Sequence, residues 1–333
     1  MNLPYKKNKY QRILIIRQGA IGDVVHTSNI FRSIKNYNPE AKIDYVTGKV
    51  PAQLIEHDSR LNHVYVLEGK NYGYLTKLGL ELRKQKYDLV INLQPSIRFR
   101  YLAFLTGAKS QVIYKKTFRL HAVENFFETA KKKIKELENP QNLELELPQE
   151  VVDKVKADFP SDKKIVILNT QTSVARHGRK WPMEYFKELA LDLIDQYGCL
   201  VVIPGSKEDI KEVKVFENLH PDIVITAGKY SILESAALFS LADVVVSSDT
   251  GPLHIATAVK KPFCIGLYGA ASVGRTGPWG INHFAVSADL DCIPCDRRKC
   301  KIKEYKGKDV NPCLMAIKPE HILRVIKDND LLV

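Results

Sequence analysis

The sequence "RILIIRQGAIGDVVHT", residues 12–27, is the first place in the chain where an apolar run leads into a glycine-bearing turn. An apolar run is followed by a turn with two glycines and then by a helical pattern, which predicts a strand, a tight turn and a helix. Such turns often bind phosphate, because backbone N–H groups and the helix dipole favour an anion. This turn carries an acid of its own, Asp23. Its Gly-x-x-Gly spacing is neither a dinucleotide fingerprint nor a Walker loop. Asp23 is therefore either a helix cap or a carboxylate that accepts a proton in a cleft.

The alternation of strand and helix continues along almost the whole chain, which is typical of parallel sheets with crossover helices. The predicted strands are 12–17, 42–48, 63–69, 88–94, 111–116, 164–170, 199–205, 222–228, 243–249, 262–269 and 283–288. The predicted helices are 24–36, 74–86, 122–136, 183–197, 206–218, 231–241 and 252–260. The series restarts after the proline-bearing, charged segment 138–163. This predicts two doubly wound α/β domains in tandem, with ligands at the carboxyl ends of the strands.

Composition limits the partners. The chain has 333 residues, a formal net charge of +12 and a pI near 9.2. Such a charge favours an anionic partner, which could be nucleic acid, anionic lipid or a phosphorylated substrate. Apolar runs are too short for a secretory signal or a membrane span. We therefore expect a cytoplasmic protein, or one bound at a membrane surface.

The second motif is "VVVSSDTGPLHIAT", residues 244–257. A valine strand ends in hydroxyls and Asp249, and Pro252 suits the first position of a helix that Asp249 or Thr250 would cap. The loop thus offers backbone N–H groups, a hydroxyl and a carboxylate at a strand end, and His254 follows one turn later. The alternative is a capped helix with a core histidine.

The third motif, "NTQTSVARHGRKWPMEYF", spans residues 169–186. Thr170 and Thr172 follow a buried strand, and the basic run that includes Arg179 and Lys180 comes next. Hydroxyls and a lysine at a strand end suit a pyrophosphate, although a solvated basic loop is also common. Past another strand, Glu208 could hold two ribose hydroxyls or could serve as a first-turn acid.

Four cysteines cluster late in the chain, at Cys292, Cys295, Cys300 and Cys313. Their spacing is too irregular for a regular zinc motif. We predict no metal site, and we keep zinc or an iron–sulfur cluster on these thiolates as the alternative.

Together the motifs resemble glycosyltransferase family nine, the bacterial lipopolysaccharide heptosyltransferases. The resemblance rests on "ILIIRQGAIGDVVHTSNIFRSIK", "RKWPMEYFKELA", "SSDTGPLHIATAVKKPFCIGLYG" and "RTGPWG", and it covers nearly the whole chain. It implies a GT-B fold with two Rossmann-like domains facing a cleft. The expected parts are an acceptor domain, 1–155, a nucleotide-sugar domain, 156–316, and a C-terminal helix, 317–333, that packs back on the first domain.

The resemblance also implies an inverting, metal-independent transfer with no cofactor. The donor is expected to be ADP-heptose and the acceptor the anionic lipid-linked inner core, Kdo-lipid A or heptosyl-Kdo-lipid A. Asp23 would be the general base, and Lys180 would stabilise the departing diphosphate. The expected donor contacts are Thr170, Thr172, Lys180, Glu208, Tyr230, Asp249, Thr250, Gly251 and His254.

On this basis we expect the positive charge to meet the acceptor and the inner face of the cytoplasmic membrane, with no nucleic acid partner. The expected acceptor contacts are Gly22, His26, Arg98, Arg100, Lys115 and Arg119, with Lys116 and 131–133 nearby. Two alternatives stay open: a family member that uses another nucleotide sugar and glycan acceptor, and a nonenzymatic protein that binds anionic glycolipid. A nicotinamide-dependent enzyme is disfavoured, since the chain has neither a full glycine fingerprint nor a Tyr-x-x-x-Lys pair in the place that such an enzyme requires.

Overall fold

A computed structural model describes residues 9–138, 142–171, 179–259, 261–297, 300–302 and 311–333. The chain divides into two compact units, residues 1–141 and 142–333. Each unit contains one parallel β-sheet with helices between successive strands. This confirms the predicted GT-B class of two Rossmann-like α/β domains.

The first unit contains a five-stranded parallel sheet with the order β3-β2-β1-β4-β5. Its strands are β1 (Arg12–Ile16), β2 (Lys42–Gly48), β3 (His63–Leu67), β4 (Leu89–Asn92) and β5 (Ser110–Ile113). Its helices are α1 (Ile21–Val25), α2 (Ser28–Tyr37), α3 (Lys49–Ile55), α4 (Tyr72–Lys84), α5 (Ile97–Leu105) and α6 (Ala122–Lys131). The central strands are buried on both faces, which explains their uninterrupted apolar residues.

The second unit contains a six-stranded parallel sheet with the order β11-β10-β9-β6-β7-β8. Its strands are β6 (Ile165–Asn169), β7 (Leu200–Ile203), β8 (Ile223–Ile225), β9 (Val244–Ser248), β10 (Phe263–Tyr268) and β11 (His283–Ser287). Its α-helices are α7 (Gln149–Lys156), α8 (Met183–Tyr197), α9 (Ile210–Val213), α10 (Ile232–Leu241), α11 (Gly251–Ala258), α12 (Val273–Thr276), α13 (Pro312–Met315) and α14 (Pro319–Asp328). Two 3₁₀ turns, Lys207–Asp209 and Lys214–Phe216, flank α9.

Both sheets have the strand order of a Rossmann fold, so each has one point at which the order reverses. In the first sheet this switch point lies between β1 and β4, and in the second it lies between β6 and β9. Ligands of open α/β sheets bind outside the carboxyl ends of the strands at such points. The loops that follow β1 and β9 are the two loops that the sequence analysis singled out.

The sequence boundaries need two corrections. Residues 142–155, which we had assigned to the first domain, belong to the second unit, where α7 packs against α10. The C-terminal helix is also part of the second unit. Ile322 and Ile326 of α14, which we had expected to pack on the N-terminal domain, are fully buried in a core shared with α8. Their apolar spacing predicted a buried face but could not say which core would receive it.

Two predicted helices are broken in the structure. The segment 24–36 forms α1 and α2, and the segment 206–218 forms α9 with a 3₁₀ turn on either side. Within the described part of the chain, no helix combines the length and the apolar character needed to cross a bilayer.

Candidate functional site

Asp23 lies in the first turn of α1, beside the switch point of the first sheet. Its Oδ2 accepts a hydrogen bond from the backbone N–H of Ala20 at 3.1 Å and forms an ion pair with Arg17. The side chain is 34% exposed, and no other described residue donates to its Oδ1. Both readings of this residue therefore coexist: one oxygen caps the helix, and the other is open to a ligand.

Arg17 fixes the position of that carboxylate. Its side chain is only 9% exposed, its Nη1 donates to the carbonyl of Leu93 at 2.6 Å, and its guanidinium lies 4.9 Å from the centroid of the Phe126 ring. Arg17 thus ties the ends of β1 and β4 together and holds Asp23 between them. The sequence analysis assigned no role to this residue, although it is the first residue after β1.

Two residues expected to contact an acceptor lie in the interior. His26 is 2% exposed and its ring is 5.7 Å from the ring of His121, and Gly22 is buried as well. Gly22 lies within α1 and His26 directly follows its last residue, so both belong to the packed part of this segment. Their contact with an acceptor stays a prediction.

A basic, partly apolar surface surrounds the carboxyl end of the same sheet, and we call it the basic rim. Its cations, on α5 and in the segment after β5, are exposed: Arg98, Arg100, Lys115, Lys116 and Arg119. Among them stand the exposed side chains of Ile97 (68%) and Phe118 (67%). A surface that mixes cations with large apolar groups suits an anionic amphiphile.

In the second unit, Asp249 and Thr250 lie between the end of β9 and the start of α11. Thr250 is the N-cap residue of α11 and Pro252 lies in its first turn, as expected. The Thr250 hydroxyl is 3.2 Å from that of Ser247, and Asn169 at the end of β6 donates to Ser247 at 2.9 Å. The two strands at the switch point are thus joined by a small polar cluster.

Asp249 is 4% exposed and contacts two basic side chains. Its carboxylate forms an ion pair with Arg179, whose Nη1 also donates to the Asp249 carbonyl at 2.7 Å. His254, itself 6% exposed, places Nε2 at 3.5 Å from Oδ1. This buried charge cluster fixes the loop that leads into α11, whose first-turn N–H groups have no partner within the helix.

The other predicted donor residues are spread along the same edge. Thr170 follows β6 and is 1% exposed, and it accepts from Gln171 Nε2 at 3.0 Å. Lys180 forms an ion pair with Glu212 of α9. Arg179, to which we gave no separate role, is the cation that contacts the Asp249 loop. Thr172 lies outside the described residues.

Glu208 and Tyr230 follow β7 and β8. Glu208 is exposed within the 3₁₀ turn Lys207–Asp209. The Tyr230 hydroxyl donates to Asp158 at 2.7 Å, and burial together with this carboxylate raises the pKa of Tyr230. Both residues thus lie at the carboxyl edge of the second sheet, as their positions in the sequence predicted.

The family model described as glycosyltransferase family 9 (heptosyltransferase) matches residues 75–306, more than half of the chain. The chain belongs to glycosyltransferase family 9. It is therefore an enzyme, and the alternative of a nonenzymatic glycolipid-binding protein is wrong.

Comparisons with individual family 9 proteins agree with this assignment. Lipooligosaccharide heptosyltransferase 2 of Campylobacter jejuni is 23% identical over 320 residues, covering 92% of this chain and 95% of that protein. The crystal structure of a family 9 glycosyltransferase from Veillonella parvula superposes with a TM-score of 0.81 at 22% identity, over 97% of each chain. Escherichia coli ADP-heptose lps heptosyltransferase II gives 0.78 at 21% identity, over 96% of this chain and 98% of that one. These similarities show that the family 9 fold extends over nearly the whole chain.

All four late cysteines of this family 9 chain line one cavity of about 250 Å³. Burial raises the pKa of the Cys313 thiol to about 11, and the neighbouring Cys295 and Cys300 add to the effect. In the ranges that the structure describes, no group of three or more His, Cys, Asp or Glu is arranged to hold a metal ion. The four cysteines therefore converge on one place in the second unit.

Proposed function

We propose that this family 9 glycosyltransferase transfers heptose from ADP-heptose to the lipopolysaccharide inner core, with inversion at the anomeric carbon and without a metal ion. The acceptor would be Kdo-lipid A or heptosyl-Kdo-lipid A. The names of the related proteins support the donor and acceptor classes. The observation that carries the mechanism is the Asp23 carboxylate, which is oriented through one oxygen and open at the other.

In the proposed step, Asp23 Oδ1 removes the proton from an acceptor hydroxyl. The hydroxyl oxygen forms a bond to the anomeric carbon as the bond from that carbon to the diphosphate oxygen breaks, and ADP leaves with the electron pair. Because a sugar hydroxyl is a weak acid, its proton moves late, when the anomeric carbon carries positive charge. Arg17 keeps the carboxylate in place during this step but does not touch the reacting atoms.

The departing diphosphate needs positive charge. The Asp249–Gly251 loop supplies the N-terminus of α11, Arg179 lies against that loop, and Lys180 is the next residue. Thr170 and the Ser247–Thr250 hydroxyls provide further donors at the same strand ends. Preorganised donors of this kind stabilise a leaving group in the way that a metal ion does in other transferases. Glu208 and Tyr230 would hold the ribose and the base.

The basic rim is the proposed acceptor and membrane surface of the first unit. Its cations would meet the phosphates and carboxylates of the core, and Ile97 and Phe118 would enter the lipid boundary. Each Lys or Arg near an anionic surface contributes about 1 kcal/mol, weakened by salt. This proposal places the enzyme at the cytoplasmic face of the inner membrane.

The test is an Asp23→Asn variant assayed with ADP-heptose and Kdo-lipid A, with mass detection of the product. Asparagine keeps an oxygen for the Ala20 N–H but cannot take the proton. We therefore expect transfer to fall about 10²- to 10⁴-fold, while calorimetry shows unchanged ADP binding. The matched control is Asp195→Asn on the exposed face of α8, which we expect to be fully active. Unchanged turnover in Asp23→Asn would remove this residue from the mechanism, and a donor screen that finds another sugar would reassign the substrate.

A further inference from the structure

A charged cavity lies at the amino ends of the strands of the first sheet, at the edge opposite to the Asp23 loop. It has a volume of about 340 Å³. We call it the lysine cleft and define it by the lining residues Lys9, Tyr10, Ser110, Lys132, Lys133 and Lys135. Lys132 and Lys133 belong to the run 131–133 that we expected near the acceptor, but they follow α6 and lie at the amino ends of the strands, away from the Asp23 loop. Neither the proposed transfer reaction nor the family assignment uses this cavity.

Several elements of the first unit build the lysine cleft. Tyr10 stands just before β1, and its buried ring places the hydroxyl 3.4 Å from the hydroxyl of Ser110, the first residue of β5. The Tyr10 carbonyl accepts from Asn38 at 3.0 Å, just after α2. Lys132 and Lys133 follow the end of α6. The positions of the Tyr10 and Ser110 hydroxyls are therefore fixed by the fold, and the lysines line the rest of the cavity.

The electrostatics of the lysine cleft are one-sided. The described residues that line it include four lysines and one acid, Glu136. Among the described residues, Lys132, Lys133 and Lys135 form no ion pair with a carboxylate, whereas Lys154 and Lys163 of the second unit each do. Burial alone would raise the pKa of Tyr10. Hydrogen bonds with Ser110 and Lys9, and the charges of Lys9 and Lys133, outweigh it and lower the pKa.

The lysine cleft is separate from the Asp23 loop. Tyr10 lies before the first residue of β1, and Arg17 and Asp23 lie beyond its last residue. Five strand residues at about 3.3 Å each separate the two edges by roughly 17 Å. A diphosphate group is much shorter than this separation, so a diphosphate bound in the cleft is not the one that leaves in the proposed transfer step.

We propose that the lysine cleft binds a phosphate-bearing anion at a site distinct from the transfer site. Lysine ammonium groups bind phosphate as point charges, and the Tyr10 and Ser110 hydroxyls add directional contacts at the floor. The volume is at the small end for ligand sites, which run from about 300 to 1,000 Å³. It fits a phosphomonoester or a diphosphate group, either free or on a lipid headgroup.

The lysines could also have a purely structural role at the end of α6. Cations after a helix stabilise its negative C-terminal end, and Lys132 and Lys133 follow α6. That role requires no ligand and predicts only a change in stability. Binding predicts a ligand-dependent effect that disappears when the charges are removed.

The test uses the full chain with ADP present throughout, so that a nucleotide site in the second unit is occupied. Pyrophosphate is titrated by calorimetry into wild type, a Lys9→Gln/Lys133→Gln variant and a Lys77→Gln control on the exposed face of α4. Each lost lysine should weaken binding about fivefold, so we expect roughly 25-fold weaker binding in the double variant and no change in the control. Binding should also weaken as salt is raised. A parallel arm measures sedimentation with phosphatidylglycerol vesicles against phosphatidylcholine vesicles.

Three results decide the proposal. Selective loss of pyrophosphate binding in the double variant supports a soluble phosphate ligand, and selective loss of phosphatidylglycerol sedimentation alone supports a headgroup. Equal behaviour of double variant and control in both arms overturns the proposal. If the double variant does not fold, acetylation of wild type replaces it. Saturating pyrophosphate should then slow the modification of Lys132 and Lys133 relative to that of Lys77, and an unchanged ratio overturns the proposal.

Discussion

Replacing Arg179 with methionine tests the charge cluster that holds the Asp249 loop. Arg179 contacts this loop twice, through the Asp249 carboxylate and through its backbone carbonyl at 2.7 Å. Methionine keeps much of the aliphatic volume and removes both contacts. The Asp249 carboxylate then stays buried with this guanidinium gone.

The expected magnitude follows from the burial of the two partners. Removing one partner of a fully buried ion pair costs about 3–5 kcal/mol, because the other charge remains buried. Asp249 is 4% exposed, but the Arg179 side chain is 19% exposed and partly screened by water. We therefore expect a loss of about 2–4 kcal/mol in the free energy of unfolding of the second unit. The double variant Arg179→Met/Asp249→Asn should lose less than the sum of the two single variants, since no charge is left behind.

The chain offers a reporter that is confined to this unit. Both tryptophans of the chain, Trp181 and Trp279, lie in the second unit, so tryptophan fluorescence in urea follows that unit alone. The matched control is Lys163→Met, which breaks the ion pair with Asp222 in which the lysine is 42% exposed. Such surface pairs contribute about 0–1 kcal/mol. If Arg179→Met is no more destabilising than Lys163→Met, or if the two replacements at Arg179 and Asp249 are additive, the buried-cluster argument is wrong.

Three further predictions use the same unit or the loop of the first unit. Hydrogen bonds from Lys154 and Ser231 lower the pKa of Glu234 to about 2. Because the folded state holds this carboxylate charged, the charge stabilises the fold above the ordinary pKa of a glutamate. The difference in unfolding free energy between wild type and Glu234→Gln should therefore be constant at about pH 6–8 and shrink as the pH falls from about 4.5 toward 2. Burial lowers the pKa of His283 to about 4. As the pH falls, the unfolded chain therefore binds this proton before the folded chain does, and wild type should lose stability between about pH 6.5 and 4. In urea titrations, His283→Asn should reduce the slope of the unfolding free energy against pH in this range. An equal slope in both proteins would contradict it. A Cβ at Gly48 would lie 2.9 Å from the carbonyl oxygen of Gln18. Gly48→Ala should therefore shift the Asp23 loop and lower the rate of heptose transfer, while the urea transition seen by tryptophan fluorescence stays unchanged. Full activity would show that the loop adapts.

The sequence predicted the sheets well, because a strand in the middle of a parallel sheet is apolar on both faces. All eleven observed strands overlap predicted ones, from β1 to β11. The helix predictions were less accurate. The segment 206–218 has helical spacing, yet it forms α9 between two 3₁₀ turns, and the boundary at 155 was set too late because α7 packs against α10. Packing partners of this kind are not encoded in local periodicity.

The candidate site was predictable in position but not in its contacts. Asp23, Thr170 and Asp249 were chosen because they follow apolar strands, and the structure places them at the switch points of the two sheets. Their roles stay predictions. The two arginines that hold the acids, Arg17 and Arg179, gave no pattern of their own, since a charged residue after a strand is common. Only the tertiary fold shows that each is paired with an acid.

The two acids are held by the same physical device, and this bears on the proposed chemistry. Arg17 directly follows β1, and Arg179 lies ten residues beyond β6. Each forms an ion pair with the carboxylate at the switch point of its sheet and also donates a hydrogen bond to a nearby backbone carbonyl. The difference lies in burial. Asp249 is 4% exposed and is enclosed by Arg179 and His254, so it serves to fix the loop that leads into α11. Asp23 is 34% exposed and keeps one oxygen open, and this geometry supports the proton abstraction that we propose for it. Helix capping and proton abstraction are therefore compatible at Asp23, because they use different oxygens of one carboxylate.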